Sequence, residues 1–341
     1  MTATPPYRAA VIGCGYIGSR VEELAPGNVA SHAGAYKAAT GTELVGVFDA
    51  DAERAQAAAA HWGTAAFPSL EALLGEAKPQ IVSICSPTEF HAAQAEACLK
   101  DEAVVAVLAE KPLAASITEA KSLAALARSL AKPLAVNYSR RFDPGHQQVA
   151  REIRDGKLGR IQHVSGWYTK GIRHNGSHML DLLSWFFGGV ASAEVTAVHH
   201  WNDQSDDPGI DADIEYSSQG DETGARARIF GCDAAAHNIF ELFILGEAGR
   251  MRLSEGGHRI ERQLVGDDRH NPGYRALGPV EIIQTVMKDS ALNAVEDLVA
   301  VLAGQRDAPA SNAKNACIAL ELADRLASQA IDLTRPAKAV P

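Results

Sequence analysis

The sequence predicts an α/β Rossmann domain with a parallel, doubly wound sheet, joined to an α+β domain with a large, mainly antiparallel open sheet. Three observations carry this. Short apolar runs alternate with alanine-rich helical stretches through the first 135 residues, the rhythm of successive βα units. A GxGxxG stands directly behind the first apolar run, at Gly13, Gly15 and Gly18. Beyond residue 160 the apolar runs are separated by short Gly/Asp-rich turns. Such links favour antiparallel neighbours, because a parallel crossover needs about a dozen residues or more.

Taken in order, Ala9–Ile12, Glu43–Phe48, Ile81–Cys85 and Val104–Ala109 read as buried strands, and Leu134–Asn137 as a last one before the character of the chain changes. Helical patterns lie between them at Ser31–Ala39, Ala52–His61, Ser69–Leu74, Phe90–Leu99 and Ile117–Leu130. The second region offers strands at Arg160–Thr169, Ala193–Trp201, Ala212–Ser217 and Ala225–Gly231, then Ile239–Leu245, Arg250–Ser254 and His258–Val265. Helices interrupt at Ser177–Phe187 and Thr285–Leu302, and Ala313–Ile331 is the final one.

Composition excludes several classes. Hydrophobic residues make up 46% and charged residues 22% of 341, a globular balance. A net charge of -10 argues against a nucleic-acid partner, whose phosphates need a basic face. Five scattered cysteines without a CxxC suggest neither a disulfide framework nor a zinc ribbon. The start, MTATPPYRAAVIG, lacks a charged leader region. No apolar run reaches the roughly 18 residues of a membrane span. The expectation is a cytoplasmic protein with no membrane or nucleic-acid partner.

In the glycine loop the first glycine allows the tight turn, the second lets a pyrophosphate approach the backbone, and the third lets helix and strand pack closely. With Tyr16 and Ile17 between them, these residues are the expected phosphate cradle. Asp49 ends the second strand; an acid there accepts from the adenosine ribose hydroxyls and repels a 2′-phosphate, which favours NAD over NADP. Asp49 lies further along than the roughly 20 residues usual for this acid. The excess falls in Glu22–Ser31, where Pro26-Gly27-Asn28 interrupts a helical pattern. A turn residue at a strand end is the other reading of Asp49. Cys14 is expected to fill space beside the loop.

Two more loops follow predicted strands, at the edge where open α/β sheets bind ligands. Ser86-Pro87-Thr88-Glu89-Phe90-His91 follows the third, and Glu110-Lys111-Pro112 the fourth. Ser86, Pro87, His91, Glu110 and Lys111 are therefore candidate cofactor neighbours, a structural Glu–Lys ion pair being the alternative. In the second region, Gly176-Ser177-His178-Met179-Leu180-Asp181 opens an apolar helix. His178 and Asp181, three apart, share a face, and polar side chains on a buried helix need partners. His174 joins them only if the helix begins before Gly176. A metal site of His174, His178 and Asp181 lacks the Glu that follows the first His in HExxH sites, so no metal is expected. His199-His200-Trp201 and the acidic run Asp203–Asp213 read as a solvated turn or a loop near a cleft.

Together the glycine loop, SPTEFH, AEKP, NYSRRFDP (Asn137–Pro144) and the GxH..D helix, in this order, resemble the Gfo/Idh/MocA oxidoreductases. The resemblance implies a nicotinamide cofactor, a small sugar-like, cyclitol or sugar-derivative substrate, and a homodimer or homotetramer joined through the open sheet. It implies domains over 1–135 and 136–308, with 309–341 a C-terminal helix packing back on the Rossmann domain. It places the family lysine at Lys111 and its catalytic histidine at His178. The aspartate that many members carry four residues earlier is here His174. The implied chemistry is reversible oxidation of a secondary hydroxyl. His178 takes the hydroxyl proton, Lys111 holds the oxygen, and Asp181 orients the imidazole or serves the helix. Arg141, Arg173, His174 and Asn175 are the expected substrate-side residues. A tightly held NAD serving transient oxidation, or a sensor without chemistry, are the rival readings.

Overall fold

The computed structural model describes residues 6–200, 207–217 and 224–334. The first elements are β1 (Tyr7–Ile12), α1 (Val21–Leu24), α2 (His32–Ala38), β2 (Thr42–Phe48), α3 (Ala52–Trp62), β3 (Ala66–Phe67) and α4 (Leu70–Ala72). There follow β4 (Ile81–Ile84), α5 (Thr88–Lys100), β5 (Ala106–Ala109), α6 (Ile117–Ser129), β6 (Leu134–Val136) and α7 (Pro144–Arg154). Next come β7 (Ile161–Thr169), α8 (Ser177–Phe187), β8 (Val190–His199), β9 (Gly209–Tyr216), β10 (Arg226–Cys232), β11 (Phe240–Gly246) and β12 (Gly249–Ser254). The last are β13 (Arg259–Asp267), β14 (Arg275–Leu277), β15 (Glu281–Ile283), α9 (Ser290–Leu302) and α10 (Ala313–Thr334).

Contacts divide the chain into two units, residues 1–143 with 287–317, and residues 144–286 with 318–341. In the first, six parallel strands run in the order β3-β2-β1-β4-β5-β6, that of a doubly wound nucleotide-binding fold. The order reverses between β1 and β4. Helices are set by local chemistry as well as by burial. Asp51 caps α3 by accepting from the amides of Glu53 and Arg54, and Ser116 with Glu119 forms a capping box on α6. After the glycine loop the helix is brief: a π turn at Tyr16–Arg20 runs into α1, the chain leaves it at Ala25, and Ser31 caps a fresh start at α2. The interruption thus falls where Pro26-Gly27-Asn28 predicts it.

In the second unit a nine-stranded sheet runs β14-β13-β12-β11-β7-β10-β9-β8, with β15 also on β13. Its pairs are antiparallel except β7 with β10. The core lies on one face, where α8 buries Met179, Leu180, Leu182 and Leu183 among strand residues such as Val164, Ile229 and Leu242. Each side chain so buried contributes about 1.5–3 kcal/mol relative to exposure.

Three expectations change. Segment 287–302 packs with the Rossmann unit, where Ala291, Ala294, Val295 and Leu298 of α9 join its core. Helix α10 is divided: its first residues, to Cys317, group with the Rossmann unit, while Leu322, Ala323, Leu326, Ala327 and Ala330 join the core of the second unit. The run before it meets the parallel sheet through the Val136 amide on the Ser311 carbonyl and a bridge from Ala135 to Asn312. Finally, α7 is a helix absent from the sequence expectation: Val149, Ala150 and Ile153 recur within one turn and face the core, and Pro144 opens it, proline being at home in a first turn. Trp201 and residues 203–206 of the His/Asp-rich stretch lie outside the described residues. Among the described residues no helix is long and apolar enough to cross a membrane.

Candidate functional site

The nucleotide side is built where β1 and β4 diverge. Gly13 has φ +89, and a Cβ there would lie 2.5 Å from the backbone of Cys85 and Ser86. A Cβ on Gly18 would lie 1.9 Å from the Gly13 carbonyl oxygen. Both glycines are demanded by the protein's own backbone. Gly15 differs: a Cβ there meets no protein atom within 4 Å. Its bare side opens on a cleft of about 840 Å³ also lined by Asp49, Arg54, Ser86, Pro87 and Phe90, a volume suited to a small-molecule cofactor. The turn that starts at Tyr16 presents first amides with no partner inside the turn, which suits phosphate. The residues present therefore fit a dinucleotide.

Asp49 is engaged by the chain itself. Its Oδ2 accepts from the Cys14 amide at 2.7 Å, its Oδ1 from the Asp51 amide at 2.9 Å, and Arg54 stands 3.5 Å away. A carboxylate offers about four lone-pair sites, so the strand-end turn and a ribose contact are compatible. Burial, then the charge of Asp49, push the Cys14 thiol up to about 12, and it stays protonated at neutral pH. Arg54, Phe90 and Gln94 line the same cleft and were not singled out by the sequence. Arg54 could have been found from its place one turn into the helix behind Asp49, and Phe90 inside SPTEFH.

His91 stands behind the cleft. It is 1% exposed, with Nδ1 2.7 Å from the Pro112 carbonyl and Nε2 2.8 Å from that of Ser86. It ties the loop after β4 to the loop after β5. Glu110 also turns inward: Oε1 accepts from His32 Nε2 at 3.1 Å and Asn137 Nδ2 at 2.7 Å, and Oε2 from the Lys111 amide at 3.2 Å. Burial pushes its carboxyl up. The hydrogen bond and charge of His32, the Asn137 amide and the Lys111 charge pull it down further, so it lies below its ordinary value and stays ionised. Lys111 itself is half-buried. Arg141 is 4% exposed in the turn Ser139–Phe142.

In the second unit helical backbone starts ahead of Gly176, as a π turn over Gly171–Gly176 that runs directly into α8. His174 thus belongs to the helical run and is exposed, while His178 is half-buried and Asp181 buried. The turn is clamped by Asp207, whose two oxygens accept from the amides of Arg173 at 2.8 Å and His174 at 2.9 Å. Gly171, at φ +78, leaves room for that carboxylate; a Cβ would fall 2.3 Å from its Cγ. Arg173 also donates through Nε to Asp324 of α10 at 3.0 Å. Asn175 lies in the same turn, partly exposed. Among the described residues no three His, Cys, Asp or Glu side chains are grouped to hold a metal ion.

Comparison with known proteins adds the following. A family profile described as "Oxidoreductase family, NAD-binding Rossmann fold" matches residues 7–138. The D-glucoside 3-dehydrogenase of Escherichia coli (strain K12) is 32% identical over 217 residues, covering 58% of this chain and 58% of that protein. The D-apiose dehydrogenase of Paraburkholderia graminis is 26% identical over 284 residues, covering 76% of this chain and 70% of that protein. The first of these relatives is thus matched over little more than half its length. Among solved structures, a UDP-N-acetylglucosamine 3-dehydrogenase from Acidithiobacillus ferrooxidans has a TM-score of 0.79 at 23% identity, covering 97% of this chain and 100% of that one. At that identity the likeness is one of fold.

Proposed function

We propose that this chain, whose residues 7–138 match a profile of NAD-binding Rossmann oxidoreductases, is a member of the Gfo/Idh/MocA oxidoreductases and an NAD-dependent dehydrogenase acting on a secondary hydroxyl of a sugar, cyclitol or sugar derivative. The observation that carries this is a glycine loop whose middle residue faces an open cleft, beside strand ends that hold Asp49 and Lys111. NAD supplies the hydride acceptor when bound. The protein's part is binding and proton handling. Lys111, as the ammonium, holds the hydroxyl oxygen and stabilises negative charge as it develops. His178 takes the hydroxyl proton, a task for which an imidazole is suited near neutral pH. Asp181, buried one turn along α8, supports the helix face that carries it. The names of the two dehydrogenase relatives, for a glucoside and for apiose, support the carbohydrate class.

The test is titration of purified protein with NAD and NADP, followed by glucosides, inositols and UDP-sugars, read by reduced-nicotinamide absorbance. NAD preference with NADH formed from one class is expected. His178→Ala should lower turnover by about 100- to 10,000-fold while NAD still binds. Folded protein that binds neither nucleotide sinks the reading. Bound NAD without net NADH on any substrate moves it to transient oxidation.

A further inference from the structure

Behind the loop that carries Lys111 lies a closed polar chain that the proposed reaction does not use. His32 and Tyr36 are four apart on α2, and both are 0% exposed, so they share the face that meets β4. There Ser83, also 0% exposed, receives both: Tyr36 Oη stands 2.7 Å and His32 Nδ1 2.8 Å from its Oγ. The other edge of the His32 ring reaches the Glu110 carboxylate, which Asn137 meets on the same oxygen. An ionised carboxylate only accepts, so His32 Nε2 carries a proton and donates it. His32, Tyr36 and Ser83 do not line the cleft, and polar groups so deeply buried cost free energy unless each is satisfied. A structural brace alone would be cheaper as apolar packing.

We propose that His32 is a positioning residue for Lys111, acting through Glu110 and helped by Asn137. This rests on the reading in which Lys111 works at the reacting oxygen. His32 fixes Glu110 in one orientation, and Glu110 in turn receives the Lys111 amide and sets the negative charge beside its ammonium. The other groups around the carboxylate are the buried Cys85 thiol, which burial and the Glu110 charge keep protonated, and the neutral Ser83 and Asn137. His32 and Asn137 are thus the two side chains that donate to Glu110 and, with the Lys111 charge, hold it ionised. Take either away and the carboxylate loses a donor that fixes its orientation, which loosens its hold on the Lys111 charge.

The readout is Lys111's own titration, followed as the pH dependence of its trace acetylation by acetic anhydride and read by peptide mass spectrometry on the whole protein. His32→Leu should lower the Lys111 midpoint by about one pH unit, the size of shift an adjacent charge produces. His32→Gln, which keeps an amide donor to the carboxylate, should restore it. In a Glu110→Gln background His32→Leu should add nothing further. A folded His32→Leu protein with an unmoved midpoint overturns the proposal, as does an equal His32→Leu shift in the Glu110→Gln background. Should His32→Leu not fold, Asn137→Ala decides: a lowered midpoint supports the proposal and an unchanged one overturns it. Because the readout needs no turnover, failure of the dehydrogenase reading would show separately, as absent NADH beside intact shifts.

Discussion

Two partly buried carboxylates brace the two units in opposite ways. Glu110, next to Lys111, accepts from the side chains of His32 and Asn137. Asp207, beneath the turn that leads to His178, accepts from the main-chain amides of Arg173 and His174. Burial pushes both carboxyls up. At Glu110 the hydrogen bond and charge of His32, with Asn137 and Lys111, outweigh it and the group ends below its ordinary value. At Asp207 burial outweighs the amides and the Arg173 charge, and the group ends above. The lesson is that carboxylates withdrawn from solvent serve different ends. Glu110 is held charged by donors selected for it, and its charge is available to Lys111. Asp207 ties down backbone, and its charge opposes folding.

The contrast breaks most visibly at Glu110. Glu110→Ala leaves the donors of His32 and Asn137 facing a buried gap, and each orphaned group costs about 1–3 kcal/mol. With part of that recovered by water, a loss of about 2–3 kcal/mol in urea unfolding is expected. Hydrogen exchange should rise in α2 and around β6, the elements that supply the donors. Unchanged stability would mean that His32 and Asn137 find other acceptors, and Glu110 would then be no brace.

On the other side the same attack can be made without touching the carboxylate. Gly171→Ala puts a methyl 2.3 Å from the Asp207 Cγ, at a backbone φ of +78. A left-handed conformation costs a side chain about 1–2 kcal/mol by itself, and the carboxylate has to leave its amides. A loss of about 2 kcal/mol is expected, with exchange rising at the amides of Arg173 and His174. Faster exchange there with β1 to β6 unaffected would confirm that the clamp is local to the second unit. Wild-type protection at those two amides would remove Asp207 from the account of how His178 is presented.

The same contrast explains what could be read in advance. Glycine positions, strand ends and the α8 pattern are properties of neighbours in sequence, so the places of Gly13, Gly15, Gly18, Asp49, Lys111 and His178 in loop, strand end and helix were legible, as were most elements. β3, β14 and β15 have two or three residues each, too few to show a period. The braces are another matter. Glu110 meets a histidine 78 residues before it and an asparagine 27 after it, and Asp207 meets amides 33 and 34 residues before it. No local pattern marks such pairs. Helix α10 shows the same limit, since an apolar stripe says that a face is buried and not which core receives it. The inward turn of His91 likewise depends on partners that spacing does not reveal.

The finest test of the contrast is the direction in which each acid couples to stability. A carboxyl lowered by folding stabilises above its ordinary value, 4.5 for Glu110, and that contribution is lost as pH falls through the lower folded value. A carboxyl raised by folding does the reverse. Asp207 favours the folded state most at or below its ordinary 3.8, and this advantage is lost as pH rises through the raised folded value. Asp207→Asn removes the titration. It keeps one acceptor for the two amides and sheds the cost of burying charge, so at neutral pH the net change should be small, about 1 kcal/mol or less. The slope is the informative quantity. Relative to the variant, wild-type protein should be most stable near the ordinary value of the acid and lose that margin as pH rises, by urea unfolding at a series of pH values. A margin that grows with pH would mean that the Arg173 and His174 amides hold Asp207 ionised, and the two carboxylates would then be braces of one kind.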